Sequence, residues 1–401
     1  MDRIFDIYLA KQDQPESDAY AELFLPATPY QMQDAFDKLR LAEDESLYWE
    51  ITEYHHFEEL SSFLNGACDL NDLNALAQRL SELDERQCTA FAGLLKMEQK
   101  KGEEIPISRL IDLAYSTDCC HVVDEALNDS QLGRFCAENG FVPEAETLPD
   151  HVFDLLDFER IGREHRQREG GILVERTADH PGGYVEQRDE LLEVYKTLDL
   201  TPKAPEYIFR IGIIHHPDAV LGADPSRAVC LDLPATEEQF EKTEEQLGGP
   251  GWLGTVLASF DGAIPSVWEM LHTTEDLPEL NLLAERLSDM EPKALSAYKA
   301  LLEATNCKDI QSARQLMDEL DEYTFSPQYS SPVEVAKGEL YTIMDNDLAL
   351  LLPHVNLYQY GQDLIQNYGG VLTGYGLIER KNGQPVQTIE NQPRQGGMEM
   401  K

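Results

Sequence analysis

The chain carries one stretch of its own sequence twice. Leu70 to Asp84 reads LNDLNALAQRLSELD and Leu277 to Glu291 reads LPELNLLAERLSDME, identical at eight of fifteen positions, with three Asp/Glu exchanges and one Leu/Met exchange among the rest. Chance pairing of ordinary compositions would give about one identity. The register extends outward: Leu25-Pro26-Ala27-Thr28 recurs as Leu233-Pro234-Ala235-Thr236, and Ala90, Phe91, Leu94 and Leu95 recur as Ala297, Tyr298, Leu301 and Leu302. Further on, Gly162-Arg163-Glu164 and Gly170-Gly171-Ile172-Leu173 recur as Gly361-Gln362-Asp363 and Gly369-Gly370-Val371-Leu372. A chain of 401 residues built this way folds as two equivalent multi-part copies, each long enough to bury a core of its own.

Periodicity fills in the parts of each copy. Ile4 to Leu9, Ala21 to Leu25 and Tyr48 to Tyr54 read as strands, and Thr28 offers an N-cap to a helix carrying Met32, Phe36 and Leu39 on one face. The second copy repeats the pattern with Tyr207 to Ile214, Ala228 to Leu233 and a helix opened by Thr236. Leu73, Leu76, Ala77, Leu80 and Leu83 lie on one helical face, as do Leu280, Leu283, Ala284, Leu287 and Met290. The fold class expected is α+β. Residues 1–60 form a mixed unit, 61–105 a helical unit and 106–173 a third mixed unit; 207–270, 271–308 and 309–376 repeat them. Residues 174–206 read as a connector with a helix-like run from Asp189 to Leu198, and 377–401 as a mobile tail lacking apolar periodicity.

Charge narrows the function. Seventy-five acidic residues oppose thirty-two basic ones for a net charge of −43, while the 42% hydrophobic fraction is ordinary for a folded chain. Up to residue 200 there are 44 acidic and 18 basic residues, and beyond it 31 and 14, so both copies share the excess. Such a surface repels nucleic acid, anionic membranes and acidic substrates, and steers strongly basic partners toward it. The net charge matches that of roughly 21 base pairs of duplex, at one charge per about 1.7 Å. Solubility or halophilic adaptation is the plainer explanation of the same composition.

The carboxylates recur in helical registers. Glu237, Glu238, Glu241, Glu244 and Glu245 share one side of a helix, and Asp34, Asp37, Glu43, Asp44 and Glu45 stand at the related place in the first copy. Glu82, Asp84 and Glu85, and Asp318, Glu319, Asp321 and Glu322, add two further clusters. A single run of this kind is ordinarily a solvated face; recurrence suggests an extended acidic surface.

Catalytic signatures are lacking in the sequence. No EF-hand loop, P-loop, HExxH or G-x-S-x-G pattern occurs, and paired carboxylates are inevitable among so many. His55-His56, His215-His216 and Cys119-Cys120-His121 are poor metal sites because adjacent residues rarely converge on one ion. The expectation is no enzyme, no cofactor and no metal. Arg160, Arg163, Arg166 and Arg168 are the one basic concentration, open to a nucleic-acid contact or to internal pairing with Asp154, Asp157, Glu159 and Glu164. Seven cysteines without CxxC spacing, no secretory signal and no long apolar window predict reduced thiols in a cytoplasmic protein without a membrane span.

The order of apolar strand, L-P-A-T turn and acidic helix, then Ile51-Thr52-Glu53-Tyr54, then LNDLNALAQRLSELDERQCTAFAGLLK and the Gly162 and Gly361 segments resembles the ArdA antirestriction proteins. The resemblance covers about residues 4 to 173 and, more loosely, 207 to 376, so the chain resembles two ArdA copies in tandem. It implies an elongated acidic DNA mimic, with carboxylates standing in for phosphates, that occupies the DNA groove of a Type I restriction-modification methyltransferase core in the bacterial host cytoplasm. A different DNA-binding defence enzyme as target, or an acidic scaffold without mimicry, are the alternatives. The resemblance also implies pairing of copies, as a pseudo-dimer within the chain or as a homodimer, with no direct binding of nucleic acid or membrane.

Overall fold

The computed structural model describes residues 3–12, 18–40, 46–64, 68–124, 126–145, 147–177, 180–201, 203–215, 227–248, 252, 254–343 and 352–389. It is an α+β fold of helices around four small three-stranded sheets.

The first sheet holds β1 (Phe5–Lys11), β2 (Tyr20–Leu25) and β3 (Leu47–Glu53) in the order β2-β1-β3. Alternation decides its faces: Ala21, Leu23 and Leu25 are buried while Tyr20, Glu22 and Phe24 face out, as a two-residue side-chain period requires. Helix α1 (Pro29–Leu39) follows, capped by Thr28, whose side chain accepts from the Gln31 amide while Gln31 accepts from the Thr28 amide. Next come α2 (Leu70–Leu80), which buries Leu70, Leu73, Leu76, Ala77 and Leu80 on one stripe, then α3 (Glu85–Gln99) and α4 (Ile107–Tyr115). The second sheet takes β4 (Cys120–Val123), β5 (Ile172–Val174) and β6 (Gly183–Gln187) in the order β4-β6-β5, all antiparallel. Between β4 and β5 run α5 (Asp129–Glu138), the short α6 (Asp150–Phe153) and α7 (Phe158–Glu169).

Among the described residues the second half runs through a similar element order, without a counterpart of α6. β7 (Phe209–His215), β8 (Val229–Leu233) and β9 (Thr255–Gly262) form a sheet ordered β8-β7-β9, with α8 (Glu237–Leu247) after β8. Helices α9 (Leu277–Leu287), α10 (Pro292–Ala304) and α11 (Ile310–Glu319) precede β10 (Tyr323–Ser326). Helices α12 (Pro332–Ile343) and α13 (Leu357–Asn367), then β11 (Val371–Thr373) and β12 (Gly376–Arg380), complete a sheet ordered β10-β12-β11. The peptide bonds Leu25–Pro26 and Leu233–Pro234 are both cis.

Two recurring devices explain why the repeated residues recur. The Asn74 side chain accepts from the Ala27 amide at 2.7 Å and donates to the Ala27 carbonyl at 2.9 Å; Asn281 does the same for Ala235 at 2.7 and 3.1 Å. Each amide thereby ties the L-P-A-T turn to the first middle helix. At the helix pairs α5/α7 and α12/α13, a Cβ on Gly162 would strike the Asp129 carbonyl and one on Gly361 the Pro332 carbonyl. Only glycine permits that approach.

Two stretches differ from the sequence expectation. The 174–206 segment supplies β6, the central strand of its sheet, so it is more than a connector. Its Asp189–Leu198 run is largely irregular with one 3-10 turn, because side chains of α4 and its C-cap take the backbone donors: Leu192 donates to Ser116 Oγ and Tyr195 to Asp112 Oδ1. Residues 377–389 are likewise built in: β12 is a central strand, the Val386 amide donates to the Gly369 carbonyl and the Ile389 amide to that of Thr305. The rest of the expected tail lies outside the described residues.

By contacts the chain forms two compact units, Met1–Tyr8 with Phe24–Ala27 and Trp49–Pro202, and Leu9–Leu23 with Thr28–Tyr48 and Lys203–Lys401. The core of the second unit gathers Phe209, Ile211, Leu231, Leu280, Leu283, Tyr298 and Leu301, with Tyr30 of α1 packed against it.

A candidate acidic interaction surface

Helix α8 presents its carboxylates most openly. Thr236 caps it through a reciprocal pair with Gln239, and Gly248, at φ 75°, ends it. One face is anchored: Thr243 is buried, Phe240 meets Trp252 edge to face at 6.1 Å, and Leu247 packs on the core. Glu237, Glu238, Glu241 and Glu245 are exposed on the other face and Glu244 is half-buried. Among the described residues none of these five makes an ion pair with a basic side chain. Glu237 and Glu238 in the first turn suit the positive helix end, whereas Glu241 and Glu245 repel each other by a few tenths of a kcal/mol.

The other predicted clusters are partly neutralised. Glu82, Asp84 and Glu85 are exposed at the α2–α3 corner, yet Asp84 is the N-cap of α3, accepting from the Gln87 amide at 2.7 Å, and Glu82 lies 3.5 Å from Arg79. At the end of α11, Asp318 pairs with Arg286 at 2.6 Å and Glu319 with Arg380 at 3.6 Å, leaving Asp321 and Glu322 exposed beside them.

Asp34 and Asp37 correct the sequence expectation. Asp34 is only 4% exposed, and its carboxylate takes Lys299 at 2.9 Å, Lys38 at 2.9 Å and the Tyr375 hydroxyl at 2.8 Å; Asp37 takes the same Lys299 ammonium at 2.8 Å. Burial opposes ionisation of Asp34, but the two lysines overcome it and hold the carboxyl below its usual range. These two acids therefore serve packing. Glu43, Asp44 and Glu45 lie outside the described residues. Lys299 escaped the sequence reading, although a signal existed: a lysine among the apolar residues of the Tyr298 to Leu302 stretch, where the first copy has Ala92.

The arginine cluster is paired internally. Arg160 meets Glu164 at 2.8 Å, Arg163 meets Glu159, Arg168 meets Glu169 at 2.8 Å, and Arg166 grips Asp129 through two bonds of 2.8 Å. Beside it a buried polar network surrounds Glu186, 1% exposed: it accepts from the Tyr184 hydroxyl at 3.0 Å, pairs with Arg188, and faces His165 at 3.4 Å and His121 at 3.5 Å. Burial, then Glu186, pushes the Tyr184 hydroxyl upward. The second copy keeps only the carboxylate, Glu379, opposite Thr324, and burial raises its pKa.

His55 is engaged with Asp6 at 2.9 Å, and His216 lies outside the described residues. Among the described residues no group of three or more His, Cys, Asp or Glu is arranged to hold a metal ion. All seven cysteines are free thiols, with burial lifting Cys120 to about 12 and Cys136 to about 11. No helix among the described residues is long and apolar enough to cross a membrane. Set against known proteins, the chain matches no protein-family model and no curated protein.

Proposed function

We propose that the chain is an antirestriction DNA mimic of the ArdA kind, a stoichiometric inhibitor that presents Asp and Glu as phosphate surrogates to the DNA groove of a Type I restriction-modification methyltransferase in the bacterial cytoplasm. The observation that carries the reading is α8. Its four exposed glutamates sit on a helix whose opposite face is anchored in the core, so the charges are held before binding and little side-chain or backbone ordering remains to oppose association. The net charge of −43 and the ordered sequence resemblance support the same reading. A groove of Lys and Arg that normally exchanges counterions for phosphates would accept such an array without any base sequence.

The test is competition. Purified protein is titrated into a Type I methyltransferase bound to labelled duplex at two salt concentrations. Stoichiometric displacement that weakens with salt is expected. Absence of displacement at low salt by folded protein overturns the reading for this target and turns the search to other DNA-binding defence enzymes or to a scaffold role.

A further inference from the structure

We infer that α1, although it belongs to the first sequence copy, is a working part of the second unit, latched there by the ion network around Lys299, so that the chain's folding boundary is not its repeat boundary. The inference stands on packing alone and does not depend on the proposed function.

The latch has two parts. In the first, the Lys299 side chain is 1% exposed and lies between Asp34 and Asp37, while Lys38 and Lys299 stand 5.6 and 5.7 Å from the Tyr375 ring centre. In the second, Arg40, held at φ 54°, reaches the turn between β11 and β12: its Nε donates to the Tyr375 carbonyl at 2.8 Å, and its Nη2 to those of Gly374 at 2.7 Å and Thr373 at 3.1 Å. Glu303 accepts from the Gly374 amide of the same turn at 2.9 Å. Lys299 is the ammonium shared by Asp34 and Asp37, while Lys38 also pairs with Asp34 and Arg40 feels Glu334 and Glu303, so losing Lys299 leaves Asp37 without its ammonium and Asp34 with Lys38 alone. Two lesser contacts extend the seam, the Tyr30 hydroxyl on the Tyr207 carbonyl and the Thr28 hydroxyl on Asp261 at 2.5 Å.

Neither half of the latch recurs. Through the repeat register, Asp34, Asp37 and Arg40 correspond to Lys242, Glu245 and Gly248, and Lys299 to Ala92. The carboxylates of the first-copy helix are withdrawn into packing, whereas those of α8 stay in solvent. A cut at the repeat boundary would therefore divide the second unit.

Hydrogen exchange by mass spectrometry on the full chain tests this, comparing wild type with Lys299→Met, Arg40→Ala and the triple variant Asp34→Asn, Asp37→Asn, Lys299→Met. In wild type, peptides from α1 are expected to be protected to the same level as α10 and to stay so at high salt, since buried pairs are weakly screened. Lys299→Met is expected to lower α1 protection about 100-fold or more, with α2 to α5 unchanged, and the triple variant to recover part of it because the two carboxylates that faced Lys299 are removed with it. If Lys299→Met unfolds the second unit outright, Arg40→Ala decides: joint loss of protection in α1 and the 371–376 hairpin supports the latch. Unchanged α1 protection in both single variants, or wild-type α1 exchanging far faster than α10, overturns it.

Discussion

Replacing Glu237, Glu238, Glu241 and Glu245 together by Gln separates charge from fold on α8. The structure keeps the stability cost small. Losing two first-turn carboxylates removes about 0.3 to 1 kcal/mol each from the helix-dipole interaction. Against this, relief of Glu237 against Glu241 and Glu241 against Glu245 returns about 0.2 to 0.5 kcal/mol each. The sum lies within about 1 kcal/mol, or a few degrees of melting temperature for a unit of this size. Binding should respond far more. If the four carboxylates act as phosphate surrogates, the slope of log affinity against log salt falls by up to about 3 to 4 units, at about 0.9 per charge contacted. The assay is displacement of labelled duplex from a Type I methyltransferase across a salt series, with circular dichroism confirming the fold. A folded variant with an unchanged slope would remove α8 from the binding face, and with it the observation on which the proposal rests.

Three further outcomes follow from the geometry. Asn281→Ala and Asn74→Ala each delete an amide that satisfies both backbone groups of one alanine, and each should cost about 2 to 4 kcal/mol in denaturant unfolding, since a stranded buried group costs about 1 to 3 kcal/mol. Asp34 has a lowered folded-state pKa, so its contribution is present above the ordinary carboxylate value of 3.8 and is lost as pH falls through the folded value; stability measured by urea titration from pH 6 downward should fall below about pH 4, and Asp34→Asn should flatten that limb. In maleimide labelling of native protein, exposed Cys230 should react first, while half-buried Cys120 and buried Cys136, shifted to about 12 and 11, should react far more slowly until unfolding.

Much of the fold was legible in the chain because it depends on local periodicity. Leu73, Leu76, Ala77 and Leu80 mark a buried stripe whatever they pack against, Thr28 and Thr236 announce helix starts through their own hydroxyls, and the Gly-Gly pairs announce β5 and β11. The exposure of Glu237, Glu238, Glu241 and Glu245 was legible for the same reason, since Phe240, Thr243 and Leu247 leave the helix only one face to bury.

What the sequence by itself determined is therefore the helices and strands that carry a clear apolar period or cap, the α+β class, the repetition within the sequence and the excess of negative charge. The tertiary structure decided which carboxylates remain charges in water. Asp34 and Glu241 are both acids on matched helices, and no local rule separates them. Lys299 and Tyr375 do, from more than 260 and 340 positions along the chain, by enclosing Asp34 where an ammonium and a hydroxyl replace water. The same long-range pairing made 183–187 a central strand and 386–389 part of the packing, because a strand or tail is fixed by the partner that takes its hydrogen bonds, and that partner lies elsewhere in the sequence.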